Sequence, residues 1–404
     1  MHTLIRCIIY TSITSLAFCQ TLDIETLERL VIENNPQLLA RAKKIDIQQG
    51  QLDQSRKLPN PVLGFESGAG VDPETSVMIS QSIQLGGKRK HKIKLSELDL
   101  TKALLEYEKL KQEKLTMAFQ SFVNILHFQE VKSLQHDRIS VSEALLKAVS
   151  KKVEAGKLSP AEISRAKIQH FQKQMKLKKI DSAIEREWIS ISALSGDKQS
   201  TFDYSQGGFR QISKISPSYS LDNSPAIQLA ELSIEIQRST IKSAKVETIP
   251  NLDLGAGLKQ SDVPGNTFQI GFSVPLPIFN QNQGNIKSAI SGLDEKELEL
   301  KFVESQLKSE LEKIQKELDL LYSEAATLKE EIIPEAQTAY TIISDGYLNG
   351  RFTYLDVVDA QKMWFLSRSQ YLDALKEYHH NIFELNRITG SNNQTTFKER
   401  TNHE

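Results

Sequence analysis

The chain has 404 residues, of which 39% are hydrophobic and 25% are charged, and its formal net charge is −1. This length is sufficient for one large or two ordinary domains, and the balanced charge gives no indication of a nucleic-acid partner. The two cysteines are Cys7 and Cys19. A chain that begins after Cys19 would therefore lack disulfides, thiol nucleophiles and thiolate metal ligands.

Residues 1–19 have the pattern of a secretory signal peptide. Arg6 precedes an apolar stretch that ends at Phe18, and cleavage after Cys19 would make Gln20 the first mature residue. Two alternatives stay open. The stretch could be a membrane anchor, although it is shorter than the about 20 residues that span a bilayer. Alternatively, Cys19 could carry a lipid, although Phe18 is bulky for a lipoprotein signal.

The first structural repeat is predicted at residues 20–222. A short helix around Ile24 to Glu33 is followed by an amphipathic helix, which ends at Leu58-Pro59-Asn60-Pro61 because proline forbids a helix there. Apolar and polar residues then alternate, as in Val77 to Leu85, which predicts a β-hairpin at 61–85.

Two long helices and an irregular segment complete this repeat. Residues 88–154 contain neither Gly nor Pro, which predicts one very long helix. A capping box that starts at Ser159, with Pro160 at the first helical position, predicts a return helix at 159–195. Residues 196–222 are rich in Ser, Gly and Gln and are predicted to be an irregular, equatorial segment.

The same plan recurs in residues 223–390. Ile79 to Leu85 lies 191 positions before Ile270 to Leu276, and Gly156 lies 194 positions before Gly350. Such near-constant offsets indicate a duplication. The second repeat is predicted to contain a helix, a hairpin at 251–276, a long helix at 285–349 and a return helix at 353–389. The polar, aperiodic residues 391–404 are predicted to be a disordered tail.

The second long helix carries a coiled-coil seam. Apolar residues recur at alternating steps of four and three, at Leu307, Leu311, Ile314, Leu318, Leu321, Ala325, Leu328 and Ile332. A helix of about 65 residues is about 100 Å long, far more than a compact core requires. Pro334 removes one backbone hydrogen bond and is expected to kink this helix.

The four predicted strands have the pattern of transmembrane β-strands. Each is predicted to have about 9 to 11 residues, with one apolar and one polar face. Four strands cannot close a barrel, and open edges are not tolerated in lipid, so copies of the chain would have to close the sheet. The alternative is a small soluble sandwich, which would make the protein an exported structural coiled-coil protein.

The sequence as a whole resembles the outer membrane efflux proteins of the TolC family. The resemblance rests on the duplicated plan, on Leu58-Pro59-Asn60-Pro61 before the first hairpin, on Gln84-Leu85-Gly86-Gly87-Lys88-Arg89 after it, and on Leu355-Asp356-Val357-Val358-Asp359-Ala360 after Gly350. It covers nearly all of the mature chain. The Leu-Gly-Gly-Lys-Arg segment is most similar to the heavy-metal efflux branch.

The resemblance implies a mainly α fold with a transmembrane β-barrel. Three identical chains would form a twelve-stranded β-barrel in the outer membrane of a Gram-negative bacterium, continued by a long α-helical barrel in the periplasm. The implied partners are the other two chains, outer membrane lipid, a periplasmic adaptor protein and an inner-membrane pump of the resistance-nodulation-division type. The implied function is a passive exit duct for heavy-metal cations or small toxic compounds, without catalysis or cofactor. A channel for type I protein secretion is the alternative within the family.

The resemblance also assigns roles to the two turns between long helices. These turns, which we call the hairpin tips, would form the periplasmic mouth and meet the adaptor. Their residues are Gly156, Lys157, Leu158 and Ser159 in the first tip and Gly350, Arg351, Phe352 and Thr353 in the second.

The family gate is a ring of acidic residues six and nine positions after the second tip glycine, which here are Asp356 and Asp359. Three chains would bring six carboxylates together, and such a ring attracts cations and raises its own pKa values by mutual repulsion. The alternative is that Asp356 only caps a helix and Asp359 is only a solvated residue.

One position departs from the family pattern. Where the best-known member has an arginine that holds the helices shut, this chain has Phe352, and Arg351 is displaced by one residue. The matching acid in the first repeat is Glu162. The expectation is a closing contact that is altered or is formed through Arg351.

Two other segments could suggest ligand chemistry. Gly86-Gly87-Lys88 lacks the spacing and the Ser or Thr of a phosphate-binding loop, so no ATP site is expected. His379 and His380 are adjacent, and adjacent side chains on a helix diverge by about 100°, so they converge poorly on one metal ion.

Overall fold

The computed structural model describes residues 21–68, 74–196, 202–214, 219–261 and 265–391. The predicted signal peptide at 1–19, with Cys7 and Cys19, lies outside the described residues, as does the predicted tail beyond Ser391. Parts of the turns between the strands and of the segment 196–222 also lie outside them.

The elements repeat in the same order in both halves. The first half contains β1 (Thr21–Leu22), α1 (Ile24–Asn34), α2 (Pro36–Ser55), β2 (Val62–Ser67), β3 (Thr75–Ile83), α3 (Lys88–Glu154), α4 (Pro160–Ser195) and β4 (Tyr204–Ser205). The second half contains α5 (Pro225–Val246), β5 (Leu252–Gln260), β6 (Thr267–Ser273), α6 (Gln283–Thr327), a π-helical turn (Leu328–Ile332), α7 (Ile333–Leu348) and α8 (Tyr354–Thr389). Helix, hairpin, very long helix and return helix therefore occur twice, as the fold class predicted.

The two hairpins form one antiparallel sheet in the order β2, β3, β5, β6. β3 and β5 pair over nine residues each, but β2 has six residues and β6 has seven, which is shorter than predicted. These two strands are the edges of the sheet, and each has one neighbour within the chain. The inner strands β3 and β5 each continue beyond the residues that pair with the edge strands.

One face of the sheet is apolar and exposed. The pairing register places two apolar rows side by side across all four strands, Phe65, Val77, Leu258 and Phe268 in one row and Leu63, Ile79, Ala256 and Ile270 in the next. Ile270 is 79% exposed, whereas its polar neighbour Gln269 faces the other side and is half-buried. A water-soluble sheet buries its apolar face, whereas this sheet exposes its apolar face.

The main core lies between α1, α3, α6 and α8. The predicted seam of α6 is buried from Leu307 to Leu328 and packs with Phe122 of α3 and Leu375 of α8 in one hydrophobic cluster. Ile332, the last predicted seam residue, is 44% exposed, so the prediction is wrong there. The π-helical turn adds a residue to one turn and rotates the following side chains, which places Ile333 against the core in its place.

Pro334 accounts for this turn. It has no N–H to donate to the carbonyl four residues earlier, and the N–H of Ile333 instead bonds to Leu328 O, five residues earlier. The local effect of the proline is therefore a π-helical turn that changes the phase of the helix.

The predicted irregular segment contains a short strand. β4 pairs in parallel with β1, with Thr21 opposite Tyr204 and Leu22 opposite Ser205. Phe209, which follows β4, is 3% exposed and joins the main core. The described part of this segment therefore contributes to the core of the helical bundle.

Among the described residues, none of the helices combines the length and the apolar character that crossing a membrane requires.

Candidate functional site

The two hairpin tips are closed by the same backbone motif. In the first tip, Gly156 has φ of +71° and donates to Val153 O, while Lys157 N donates to Lys152 O. This is a Schellman motif, and glycine is preferred at its left-handed position because it has no Cβ. A turn of this kind ends α3 and lets α4 return alongside it.

The second tip repeats the motif. Gly350 has φ of +78° and donates to Tyr347 O, while Arg351 N donates to Gly346 O. The ring of Phe352 then packs against Gly346, where an added Cβ would lie 2.3 Å from the ring. Phe352 therefore fixes the shape of the tip by packing, which is a different role from that of a charged residue.

Asp356 lies at the start of α8 and completes a capping box. Its Oδ2 atom accepts hydrogen bonds from Thr353 N at 2.8 Å and from Thr353 Oγ1 at 2.7 Å, and its own N–H donates to Thr353 Oγ1. These bonds stabilise the carboxylate and lower the pKa of Asp356. The predicted rise in pKa requires carboxylates of neighbouring chains, which a single chain does not contain.

Asp359 lies on α8, less than one turn after Asp356. Both side chains are exposed, and at this spacing they lie on the same side of the helix. The structure therefore brings the two predicted gate acids to one exposed surface directly after the second tip.

Glu162 is held differently, in the groove between the two tips. Its Oε1 atom pairs with Arg165 Nη1 at 2.9 Å on the same helix, and its side chain is 20% exposed. Its Oε2 atom is buried and has no hydrogen-bond partner among the described residues. A half-satisfied carboxylate of this kind costs free energy unless another donor reaches it.

Two tyrosines lie beside Glu162. Burial and then the negative charge of Glu162 raise the pKa values of Tyr347 and Tyr354. The hydroxyl groups of both are buried and have no partner among the described residues. Local sequence patterns did not identify these tyrosines, although each flanks the second tip.

Arg351 is exposed and forms no ion pair among the described residues. Within one chain, the partner of Glu162 is therefore Arg165, and the expected closing contact through Arg351 stays a prediction for the assembled protein.

A small core holds the two tips together. It contains Val149, Ala166, Tyr347, Tyr354 and Val357. Lys152 adds a polar contact, because its ammonium group donates to Tyr347 O and lies 3.7 Å from the centroid of the Tyr347 ring. These contacts join α3 and α4 to α7 and α8, so the tips behave as one surface.

The surface between the tips contains a groove of about 630 Å³. Its walls include Leu158 from the first tip, Thr353 from the second, and Ile168 and Leu355 from the return helices. Ile168 is 57% exposed and Leu355 is 65% exposed. Exposed apolar side chains at the end of long helices are typical of a docking surface.

The histidine pair does not form a metal site. His379 and His380 each direct Nε2 at a different backbone carbonyl, of Phe209 at 2.8 Å and of Gln120 at 3.3 Å. Across the described part of the chain, no group of three or more His, Cys, Asp or Glu residues is arranged to hold a metal ion.

The model of the outer membrane efflux protein family matches residues 27–197 and 217–391, one segment in each repeat. The chain is also 27% identical over 376 residues to the cobalt-zinc-cadmium resistance protein CzcC of Cupriavidus metallidurans. The aligned region covers 91% of this chain and 90% of that protein.

Solved structures share the architecture. The chain superposes on the outer membrane protein VceC of Vibrio cholerae with a TM-score of 0.77 and 16% identity, over 91% of this chain and 96% of VceC. It superposes on CusC, a protein that forms a transmembrane channel, with a TM-score of 0.75 and 16% identity, over 91% of each chain. At these identities the similarity concerns the fold.

Proposed function

The chain belongs to the outer membrane efflux protein family, and from this we propose that it is the exit duct of a tripartite pump that removes heavy-metal cations. As a member of the family it is an outer membrane efflux channel that extends into the periplasm. The finer assignment has three parts, which are the assembly of the duct, its partners and its cargo.

The duct is a homotrimer. The observation that carries this proposal is the four-stranded sheet, whose apolar face is exposed and whose edge strands β2 and β6 each pair on one side only. Unpaired strand edges are not stable in lipid, so edges of neighbouring chains must pair. Three copies would give twelve strands, within the range of known membrane barrels of about 8 strands and more.

The partner in the periplasm is an adaptor protein that docks on the tips. The groove with Leu158 and Leu355 offers apolar surface, and Lys157 and Arg351 beside it are exposed cations. Such a surface suits a helical hairpin with apolar anchors and acidic flanks. The adaptor in turn would bind an inner-membrane pump of the resistance-nodulation-division type, which supplies the energy.

The cargo is a divalent metal cation. The similarity to the cobalt-zinc-cadmium resistance protein CzcC extends over nearly the full length of both chains. The exposed carboxylates of Asp356 and Asp359 support the same proposal, because a ring of carboxylates concentrates cations at a narrow mouth. The duct itself performs no chemistry in this scheme.

Deletion of the gene tests the cargo. We expect the deletion strain to become sensitive to cobalt, zinc or cadmium salts and to keep its resistance to drugs, and we expect the wild-type gene to restore metal resistance. Sensitivity to drugs alone, or failure to export a protein, would contradict the metal proposal.

The gate is tested separately by conductance. In a trimer, Arg351 is free to reach an acid of the neighbouring chain, and Glu162 has one buried oxygen that still lacks a donor. We expect Arg351→Ala and Glu162→Ala each to raise the conductance of the channel in planar bilayers, because either change removes a contact that holds the tips closed. Lys167→Gln, on an exposed part of α4, is the matched control. Unchanged conductance in both alanine variants would show that the gate is closed by other residues.

A further inference from the structure

A cavity of about 450 Å³ lies between α3, α4 and α8, beyond the tips. Its lining includes Arg138, Lys173, Lys176, Gln361 and Lys362. The lining contains four cationic side chains and no carboxylate. It lies outside the tips and the acidic residues of the proposed gate.

Two acids close to these cations, Asp137 beside Arg138 in the sequence and Asp373 near Lys176, interact with other side chains. Asp137 pairs with Arg368 at 3.1 Å, and Asp373 lies 2.8 Å from His127 Nε2. Asp373 raises the pKa of Lys176, but burial and the positive charge of Arg138 lower this pKa by more. The cavity therefore keeps an excess of positive charge.

Two buried donors point to a missing acceptor. Gln361 is 3% exposed, and its Oε1 atom accepts a hydrogen bond from Lys173 Nζ at 3.1 Å, which fixes the orientation of the amide. Its Nε2 atom is buried and has no partner among the described residues. Arg138 is similar, because its Nη2 atom donates to Phe365 O at 2.7 Å while its buried Nε atom has no partner there.

The electrostatics of the cluster agree with this geometry. Burial, followed by the charge of Arg138, lowers the pKa of Lys173 to about 8. Burial and the neighbouring Arg368 lower the pKa of Arg138. Cations that face one another without a counter-ion lose part of their preference for the charged form, and a bound anion would restore it.

We propose that this cavity binds one small oxyanion, such as sulfate or phosphate, through Arg138, Lys173 and Gln361. Guanidinium, ammonium and amide N–H groups are the donors that tetrahedral oxyanions prefer. The three residues belong to α3, α4 and α8, so the anion would brace the return helix α8 against the first helical hairpin. The proposal is independent of the cargo of the channel.

Titration calorimetry of the detergent-purified protein tests this proposal. Sodium sulfate is added at constant ionic strength to protein in chloride buffer, and we expect saturable uptake of one sulfate per chain. Arg138→Gln and Lys173→Gln should each weaken binding by at least about tenfold, because each removes a charged hydrogen bond. Lys178→Gln, an exposed lysine of α4 outside the cavity, should bind as the wild type does.

A second measurement needs no variant and so does not depend on folding of a mutant. Lys173 of the wild-type protein is acetylated with a reagent that attacks neutral amines at pH 8, and its modification is followed by mass spectrometry. Sulfate should slow the modification of Lys173 severalfold relative to chloride at equal ionic strength, because a bound anion holds the proton on the amine. Two outcomes would overturn the proposal. The first is an equal rate of Lys173 modification in sulfate and in chloride. The second is an adventitious ion only, shown by the same weak uptake of sulfate by the wild type and by Arg138→Gln.

Discussion

At the scale of single residues, burial decides how His379 responds to acid. The side chain is fully buried, Nε2 lies 2.8 Å from Phe209 O, and burial, with a smaller effect of His380, lowers the pKa of His379 to about 4. In the unfolded chain the pKa of histidine is about 6.5. Between these values the unfolded chain binds a proton that the folded chain does not.

The stability of the folded chain should therefore fall as the pH decreases from about 6.5 to about 4. This one group contributes a slope of up to ~1.4 kcal/mol per pH unit. We expect His379→Gln, which keeps a donor for Phe209 O, to remove that part of the slope in thermal unfolding followed by circular dichroism. His136→Gln, at an exposed position of α3, should leave the slope as in the wild type. Parallel pH profiles for wild type and His379→Gln would contradict the prediction.

Residue types in a sequence predict positions better than they predict partners. The family resemblance located Asp356, Asp359 and Glu162, and the sequence also offered Asp356 as a helix cap, which the structure confirms, but the sequence could not show that Glu162 pairs with Arg165. Tyr347 and Tyr354 were missed for the same reason. Their position beside Glu162 depends on contacts between hairpins that are far apart in the sequence.

At the scale of elements, the return helices α4 and α8 end in the same way, α4 beside the start of α2 and α8 beside the start of α5. Gly196 has φ of +66° and Gly390 has φ of +69°. A Cβ on Gly196 would lie 2.3 Å from Asn34 O, and a Cβ on Gly390 would lie 2.3 Å from Asn223 O. The duplication therefore extends to a close approach between the end of each return helix and the start of α2 or α5.

We expect Gly196→Ala and Gly390→Ala to lower the thermal stability of the protein more than an ordinary left-handed glycine would. The left-handed conformation alone costs an alanine about 1–2 kcal/mol, and the clash with a backbone carbonyl adds to that cost. Gly156→Ala is the control, because Gly156 also follows a helix with positive φ but has open space around it. A similar shift in melting temperature for all three variants would mean that the close approach is unimportant.

The sequence predicted the long elements well because their signals are local. An uninterrupted segment without Gly or Pro defines α3, and alternation defines the hairpins. The departures come from interactions that a local pattern does not contain. The pairing of β1 with β4 joins residues of distant segments, and Ile332 leaves the core because Pro334 changes the hydrogen bonding one turn earlier.

At the scale of the whole molecule, the helices share a buried core within one chain, but the sheet is incomplete. The core between α3, α6 and α8 buries the predicted seam from Leu307 to Leu328. The sheet, in contrast, exposes two apolar rows and has two edges. The assembly of the channel should therefore depend most strongly on changes in the sheet.

Two neighbouring positions on β6 separate the faces of the sheet. Ile270 lies on the exposed apolar face, and Gln269 lies on the opposite face. A lysine that faces lipid near the middle of the membrane costs about 2–4 kcal/mol, whereas a lysine that faces a water-filled interior costs little. We therefore expect Ile270→Lys to reduce the amount of heat-modifiable oligomer in outer membrane fractions, and Gln269→Lys to leave it nearly unchanged.

The comparison also distinguishes a membrane barrel from a soluble sheet. In a soluble sandwich the apolar face would be a dry core, and the Ile270→Lys variant would misfold and be proteolysed in the periplasm. The wild type would also give no heat-modifiable band in that case. In a barrel, the wild type and Gln269→Lys give the band and Ile270→Lys does not. Because Gln269 and Ile270 are adjacent on β6, the two lysines lie at neighbouring positions of the same strand, and the main difference between the variants is the face to which the side chain points.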